Sequence, residues 1–323
     1  MIRNPELSCP AGEVAFRRLR AVARERGVDV HVVALRYALE RFLARLFSGD
    51  GPGRVALDAT AEHAVRADTL TLKGGLTMFL AEDVPPLDGR STSDADFHVP
   101  GFEADVEAFA EILRRILAEP PEGPDDGVRF DLPSLEVARV KEGKVTGGTV
   151  TVGCQIALLP LKLRSDLAFD HRPVHALARR IEYPSVLPEA GLPPVHVRCT
   201  PFAYTVADKL QAMIRHGGGN YRIRDYYDLY VILSRGKADA AQVPRAIVET
   251  FALYGSEIPG SAGDMEALSD AFAAEKSARW DEERKKKHYG TEVPSLPEVV
   301  AFVREAVEPL LAEARADARA TPF

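Results

Sequence analysis

The sequence predicts an α+β protein with a mixed sheet in its front half and a lobe of helices in its back half. Two observations lead to this class: segments of β-branched or alternating residues crowd the middle of the chain, and beyond Pro201 only helical periodicity remains. A third is that residues 69–81 have the pattern of a strand, a glycine turn and a helix. We therefore expect two domains, residues 1–200 and residues 201–323.

The composition suits a folded protein and excludes several classes. The chain has 323 residues, 46% of them hydrophobic, which is enough to fill a large core. A net charge of -7 excludes a uniformly basic nucleic-acid-binding coat. No stretch approaches the roughly 20 apolar residues of a membrane span, and the N-terminus lacks the apolar core of a secretion signal. We expect a cytoplasmic protein that has no membrane partner.

The front half begins with two segments of helical periodicity, which Gly27 and Asp29 separate. A Gly/Pro turn at residues 51–53 ends that unit. After the strand-turn-helix segment, alternating residues predict a second strand, and helical periodicity then continues to Pro120. The predicted elements are two helices between residues 11 and about 48, a strand at 69–72, a short helix at 76–81, a strand at 94–99 and a helix at 104–118.

The middle and back of the chain differ in their hydrophobic period. β-Branched and alternating segments predict strands at 135–140, 149–158 and 161–168, with a hairpin turn at 141–148 between the first two. Behind them, five segments carry the 3.6-residue period of amphipathic helices. These predicted helices span residues 202–215, 222–234, 238–253, 265–276 and 298 to about 316.

A pair of carboxylates in the second predicted strand is the first candidate for chemistry. Strand alternation places Asp94, Asp96 and His98 on one face, so that two like charges lie at positions i and i+2. Such a pair is stabilised by a cation, and oxygen ligands favour Mg²⁺. The alternative is a solvated strand face, because Asp-x-Asp pairs are common. In either case we expect His98, which shares this strand face, to face solvent or to contact the metal-binding acids without binding the metal itself.

Two further segments could complete a nucleotide site. In residues 72–77 a strand passes through Gly74 and Gly75 toward a helix, and backbone amides at such a turn can meet a phosphate. The alternative is an ordinary strand-to-helix turn. In the predicted strand at 161–168, Asp166 could supply a third carboxylate to a shared metal, although Asp170 competes with it for that position.

A lysine in the first predicted back-half helix is the remaining candidate. Val206, Leu210 and Met213 form the apolar side of this helix, which leaves Lys209 on another side, where it could reach a phosphate as a mobile point charge. In the next helix, charges and tyrosines are dense. There the simplest interpretation is an intrahelical pair of Arg224 with Asp228, beside half-buried tyrosines.

These segments, taken in order, carry a resemblance. LKGGLTMFL, RSTSDADFHV, KLRSDLAFD, TVADKLQAM and RIRDYYDLYVIL are similar to the motifs of the AbiEii or MenT-like family of nucleotidyltransferase toxins, the enzymatic half of certain bacterial toxin-antitoxin systems. The match spans about residues 35–235. The resemblance implies a polymerase-β-like nucleotidyltransferase core within residues 1–200, followed by a helical lobe.

The resemblance also implies roles for individual residues. Asp94, Asp96 and Asp166 would be catalytic and would bind Mg²⁺, and Lys209 and Asp225 would be the characteristic Lys and Asp of the later motifs. The residues implied to face the nucleoside triphosphate are Gly74, Gly75, Thr77 and Lys209. The implied reaction transfers a nucleoside monophosphate to the 3′ end of tRNA, which blocks aminoacylation, and a cognate antitoxin would be encoded nearby.

Two other functions fit the same residues. Asp pairs with a Lys also serve kinase-type chemistry, so the chain could be a phosphotransferase or could modify a protein. A non-catalytic RNA- or protein-binding regulator is the third reading. For an RNA substrate, the chain offers basic clusters rather than overall charge. These clusters are Arg17, Arg18, Arg20, Arg24 and Arg26 in one helix, and Arg284 to Lys287.

Overall fold

A computed structural model describes residues 4–47, 70–100, 106–142, 145–286 and 293–320. The turn predicted at residues 51–53 lies outside these residues, as does Lys287, the last residue of the second basic cluster. The chain divides into two compact units, a first unit of Met1–Leu76 with Thr92–Cys199 and a second unit of Thr77–Ser91 with Thr200–Phe323. The second unit thus takes in a short segment from the front half of the chain.

A seven-stranded mixed sheet is the framework of the first unit. Its strands are β1 Thr71–Lys73, β2 Asp94–Pro100, β3 Val128–Glu142, β4 Val145–Ile156, β5 Leu159–Asp170, β6 Arg179–Tyr183 and β7 Val195–Cys199. Their order in the sheet is β3-β4-β5-β2-β1-β7-β6, with an antiparallel meander from β3 to β5 and parallel pairs between β2 and β5 and between β1 and β7. Together with the helices below, this sheet confirms the predicted α+β class.

Ten α-helices lie within the described residues. They are α1 Pro10–Arg26, α2 Val30–Phe47, α3 Met78–Glu82, α4 Val106–Ala118, α5 Val174–Leu177, α6 Phe202–His216, α7 Ile223–Ser234, α8 Val243–Tyr254, α9 Asp270–Lys286 and α10 Leu296–Ala320. None of the helices described is both long and apolar enough to cross a membrane. Helices α3 and α6 to α10 belong to the second unit, where α8 and α10 pack together and Trp280 of α9 is fully buried.

The core of the first unit lies between the sheet and helix α2. The ring of Phe42 on α2 lies 6.4 Å from that of Phe97 on β2 and 6.3 Å from that of Phe130 on β3, measured between centroids. Aromatic pairs at this spacing bury large apolar areas. Arg45 fixes the same helix by two hydrogen bonds to the Asp126 carboxylate, at 2.6 and 3.0 Å. This packing holds β2 rigidly at the centre of the sheet.

The register of the central strands places polar residues in two rows across one face. Thr149 of β4, Asp166 of β5, Asp96 of β2 and Lys73 of β1 are successive cross-strand partners. One row further along lie Glu136, Thr151, Arg164 and Asp94. Because paired residues point to the same face of a sheet, the three aspartates share one face, which we call the aspartate face.

The structure extends the predicted β-region. Strand β3 begins at Val128 rather than at 135, since a bulge between Asp131 and Glu136 carries the ladder past Pro133. Ladder pairing continues to Glu142 and Val145, so the connection is shorter than the predicted turn. Strands β6 and β7 were missed because each has only five residues, and in β6 three of the five are charged.

Candidate active site

The two carboxylates of β2 lie where alternation predicted them. Asp94 and Asp96 are half-buried, whereas the intervening Ala95 and the following Phe97 are fully buried in the core. The Ser93 hydroxyl donates to Asp94 Oδ1 at 3.0 Å. Two oxygen-rich side chains therefore stand on a rigid strand and remain within reach of solvent.

His98 departs from the sequence-based expectation. It is only 1% exposed, and its Nε2 lies 2.6 Å from Asp170 Oδ1. Asp170 also accepts from Arg172 Nη2 at 2.9 Å. Burial raises the pKa of Asp170, but the His98 hydrogen bond and the Arg172 charge outweigh it and hold that pKa well below its usual range. Asp170 and Arg172 thus form a buried ion pair, and His98 is hydrogen-bonded to the Asp170 carboxylate.

Asp166 rather than Asp170 lies beside the β2 acids. It is the cross-strand partner of Asp96, and its Oδ1 accepts from the Thr149 hydroxyl at 2.6 Å. The guanidinium of Arg164 contacts both Asp166 oxygens, at 3.1 and 3.2 Å from Nη2. Hydrogen bonding and the charge of Asp166 raise the pKa of Arg164, and Asp94 and Asp96 add to the effect. All three acids therefore stabilise the positive charge of Arg164.

The glycine turn after β1 lies directly against Asp96. Gly74 begins a 3-10 turn, Gly74–Thr77, with a φ of +69°. A Cβ atom at this position would stand 1.9 Å from Asp96 Oδ2, so only glycine allows this approach. Gly75 and Thr77 follow in the same turn, and Thr77 is 1% exposed. The turn and the acid pair are one local structure.

Gly74→Ala is accordingly expected to lower catalytic activity by about tenfold or more, because it displaces the Asp96 carboxylate. Initial rates of nucleotide transfer measure this effect. Gly191→Ala is the matched control: its φ of +67° imposes the same backbone strain, about 1–2 kcal/mol, but its Cβ would meet nothing within 4 Å. Equal losses in the two variants would show that strain alone, and not contact with Asp96, requires glycine.

Lys209 and Asp225, the candidate site residues of the second unit, belong to a buried ionic cluster. Lys209 Nζ donates to Asp225 Oδ1 at 2.6 Å and to Asp228 Oδ2 at 2.7 Å. Only 7% of Lys209 is exposed. Burial lowers the pKa of this lysine, yet Asp225 and Asp228 raise it more, so the net shift is upward. Lys209 is therefore a fixed cation here and not the mobile point charge that the sequence suggested.

Two arginines complete this cluster. Arg222 Nε donates to Asp225 Oδ2 at 2.5 Å, and Arg90 Nε lies 2.8 Å from Asp228 Oδ1. Burial raises the pKa of Asp225, but Lys209 and then Arg222 lower it to about 2. The expected Arg224–Asp228 pair does not form, because Arg224 donates to Glu283 at 2.7 Å.

A buried glutamate fixes the segment that carries Arg90. The Glu82 carboxylate accepts from the backbone N–H of Arg90 at 2.9 and 3.1 Å, and the Tyr227 hydroxyl also donates to it. Tyr227 is fully buried rather than half-buried. Sequence reasoning missed Arg90 and gave Asp228 a different partner. The one available signal was that Asp225 and Asp228 lie three residues apart, on one side of a helix.

The acids of the aspartate face suit a hard divalent cation. Within the described ranges, no three His, Cys, Asp or Glu side chains are already arranged as a metal cage. The carboxylate oxygens of Asp94 and Asp96 are nonetheless the ligand type that Mg²⁺ prefers, and they are half-exposed on a rigid strand. Arg164 shows that the face attracts positive charge. The residues present therefore fit the ion.

One family model matches most of the chain. The sequence profile described as nucleotidyl transferase AbiEii toxin, type IV TA system, matches residues 55–303. Two solved structures are also similar: MenT4, a nucleotidyltransferase toxin from Mycobacterium tuberculosis (17% identity, 93% of this chain and 98% of that chain, TM-score 0.49), and a Helicobacter pylori protein assigned as a nucleotidyltransferase (11%, 90% and 98%, 0.45). No curated protein sequence matches the chain.

Proposed function

The chain belongs to the AbiEii family of nucleotidyltransferase toxins from type IV toxin-antitoxin systems, and on this premise we propose that it is a Mg²⁺-dependent enzyme acting on tRNA. It transfers a nucleoside monophosphate from a nucleoside triphosphate to the tRNA 3′ end, in the cytoplasm. A tRNA capped in this way cannot be aminoacylated, so translation stops. The family implies an antitoxin partner, and we expect its gene nearby.

One observation carries the reaction class: Asp94, Asp96 and Asp166 share the aspartate face, with Gly74 against Asp96. These three acids would hold Mg²⁺. When bound, the ion neutralises charge on the triphosphate and on the departing pyrophosphate. The acids themselves set the position of the site, because strand pairing fixes Asp96 and Asp166 side by side. Gly74 and Gly75 keep the chain close enough to present backbone amides to the phosphates.

The attacking hydroxyl is expected to come from a second substrate. The hydroxyls of Ser93 and Thr149 both donate to carboxylates that we assign to the metal, Asp94 and Asp166. Such groups stabilise the ligands and are poorly placed to attack phosphorus themselves. In the proposed reaction an RNA hydroxyl oxygen bonds to the α-phosphorus and its proton passes to solvent, while the bond from that phosphorus to the oxygen bridging the α- and β-phosphates breaks and pyrophosphate leaves.

Lys209 and Asp225 have a different part in this proposal. The family's motifs carry the assignment of Lys209 and Asp225 to nucleotide transfer. Within the second unit, Asp225 together with Asp228 holds the Lys209 ammonium group in place. A charge that is positioned before the substrate arrives costs no reorganisation in the transition state. Thr77 is buried, so only its backbone could contribute to nucleotide binding.

Two surfaces support an RNA substrate. On α1 the exposed side chains of Arg17, Arg20 and Arg24 follow each other at i, i+3 and i+7, along one side of the helix. In the second unit the ring of Tyr221 is 69% exposed, and Lys276 Nζ and Arg279 Cζ each lie 5.6 Å from its centroid. An exposed aromatic ring beside cations suits a single-stranded nucleic acid, whose bases stack and whose phosphates carry charge.

The position of a radioactive label tests the reaction class. Purified protein with Mg²⁺ and total tRNA is expected to transfer label from an α-labelled nucleoside triphosphate, and not from a γ-labelled one, to RNA of tRNA size. All four triphosphates are tried separately, since none of the residues assigned to the site selects a base. Transfer from the γ position would identify a phosphotransferase, and a labelled protein band would identify a protein-modifying enzyme. No transfer from either label would favour a non-catalytic regulator.

A further inference from the structure

The guanidinium of Arg164 lies among the acids of the aspartate face. It lies one row from Asp166 on the same strand and is the cross-strand partner of Asp94. Its Nη2 contacts both oxygens of Asp166, at 3.1 and 3.2 Å, and reaches Thr149 Oγ1 at 3.4 Å. Asp94 and Asp96 also stabilise its charge. One guanidinium thus interacts electrostatically with all three carboxylates that the proposed function assigns to Mg²⁺.

We propose that Arg164 is a resident counter-cation of this face and that a divalent metal ion must displace it from Asp166 to bind. The inference rests on the proposed function, since it assumes a metal at these acids. Asp166 cannot give both oxygens to a guanidinium and also offer them fully to a metal ion. The two cations therefore compete.

Competition of this kind sets the affinity for the metal. The side chains of Arg164 and Asp166 are 51% and 40% exposed, so solvent screens their attraction and the pair can open at small cost. A permanent charge beside the site also repels any incoming cation. Arg164 keeps the acids together before metal arrives and restricts strong binding to conditions where the metal can replace it, for example when it enters with a triphosphate.

Metal binding to the full chain without nucleotide is the direct test. Free Mn²⁺ is titrated against the wild-type protein and variants, and bound metal is measured by electron paramagnetic resonance. Arg164→Gln is expected to bind Mn²⁺ about threefold to fivefold more tightly than wild type, the effect of losing one partly exposed charge pair. Arg164→Lys keeps the charge and should stay within about twofold of wild type.

Lys162→Gln is the matched control. Lys162 lies two residues earlier on the same face of β5, its side chain is 52% exposed, and its partner is Glu136 at 4.0 Å rather than an acid of the proposed site. We expect its Mn²⁺ affinity to equal that of wild type. If Arg164→Gln binds Mn²⁺ no more tightly than wild type, or if Lys162→Gln gains as much, Arg164 is not the competing cation. Absence of binding in every variant would instead overturn the metal assignment itself.

Discussion

Asp96→Asn is expected to reduce nucleotide transfer by about a hundredfold or more while leaving the protein folded. The change removes a metal-binding charge but keeps the size of the side chain. It also relieves repulsion between carboxylates that share one face, so the fold loses little. Initial rates at saturating Mg²⁺ and triphosphate measure the first effect, and a thermal melt measures the second. Asp94→Asn should behave in the same way.

Glu136→Gln provides the control for these two variants. Glu136 stands in the same cross-strand row as Asp94, but on β3, and its side chain is 76% exposed. Its loss removes the same charge from the same face without touching the proposed site, so we expect a rate close to that of wild type. Full activity of Asp94→Asn and Asp96→Asn would exclude the metal pair. A collapse of their melting temperature would show that the pair is structural.

Lys209→Ala is expected to have the largest effect on stability, a loss of about 3 kcal/mol in the free energy of unfolding. Two buried carboxylates, Asp225 and Asp228, each lose a charged donor at 2.6 or 2.7 Å. Of the arginines that remain, Arg90 lies against the other oxygen of Asp228, and Arg222 reaches the Lys209-bound oxygen of Asp225 only at 3.5 Å. Denaturant unfolding followed by circular dichroism measures the change.

Two variants separate charge from packing in this prediction. Lys209→Met keeps the aliphatic volume and should be destabilised nearly as much, because the missing charge is the cause. Lys162→Ala removes a lysine whose side chain is 52% exposed, and it should unfold like wild type. A Lys209→Met protein as stable as wild type would mean that the buried ion pairs contribute little to the free energy of unfolding.

The sequence predicted the aspartate face well because strand alternation is a local property. Asp94 and Asp96 follow from the two-residue period of β2, and their orientation needs no knowledge of the neighbours. The choice between Asp166 and Asp170 did need it. Asp166 lies within strand β5 and Asp170 is the last residue of that strand, four positions later and therefore on the same face. Only the partners of Asp170, which are His98 and Arg172, show that it lies in a buried cluster.

The surroundings of Lys209 could not be predicted for a different reason. Its helix was expected, and its position in a later motif was implied by the resemblance. Burial of the charge depends on Asp228 from the next helix and on Arg90, which lies more than a hundred residues earlier in the chain. Such partners are brought together only by tertiary folding, which periodicity does not report.

In the proposed reaction, an RNA 3′ end accepts the nucleotide at the aspartate face. The most direct measurement compares intact tRNA with periodate-oxidised tRNA, which lacks the terminal 2′,3′-diol, in reactions containing Mg²⁺ and an α-labelled triphosphate. We predict label on intact tRNA, none on oxidised tRNA, and none with the Asp96→Asn protein. Equal labelling of intact and oxidised tRNA would contradict addition at the 3′ end.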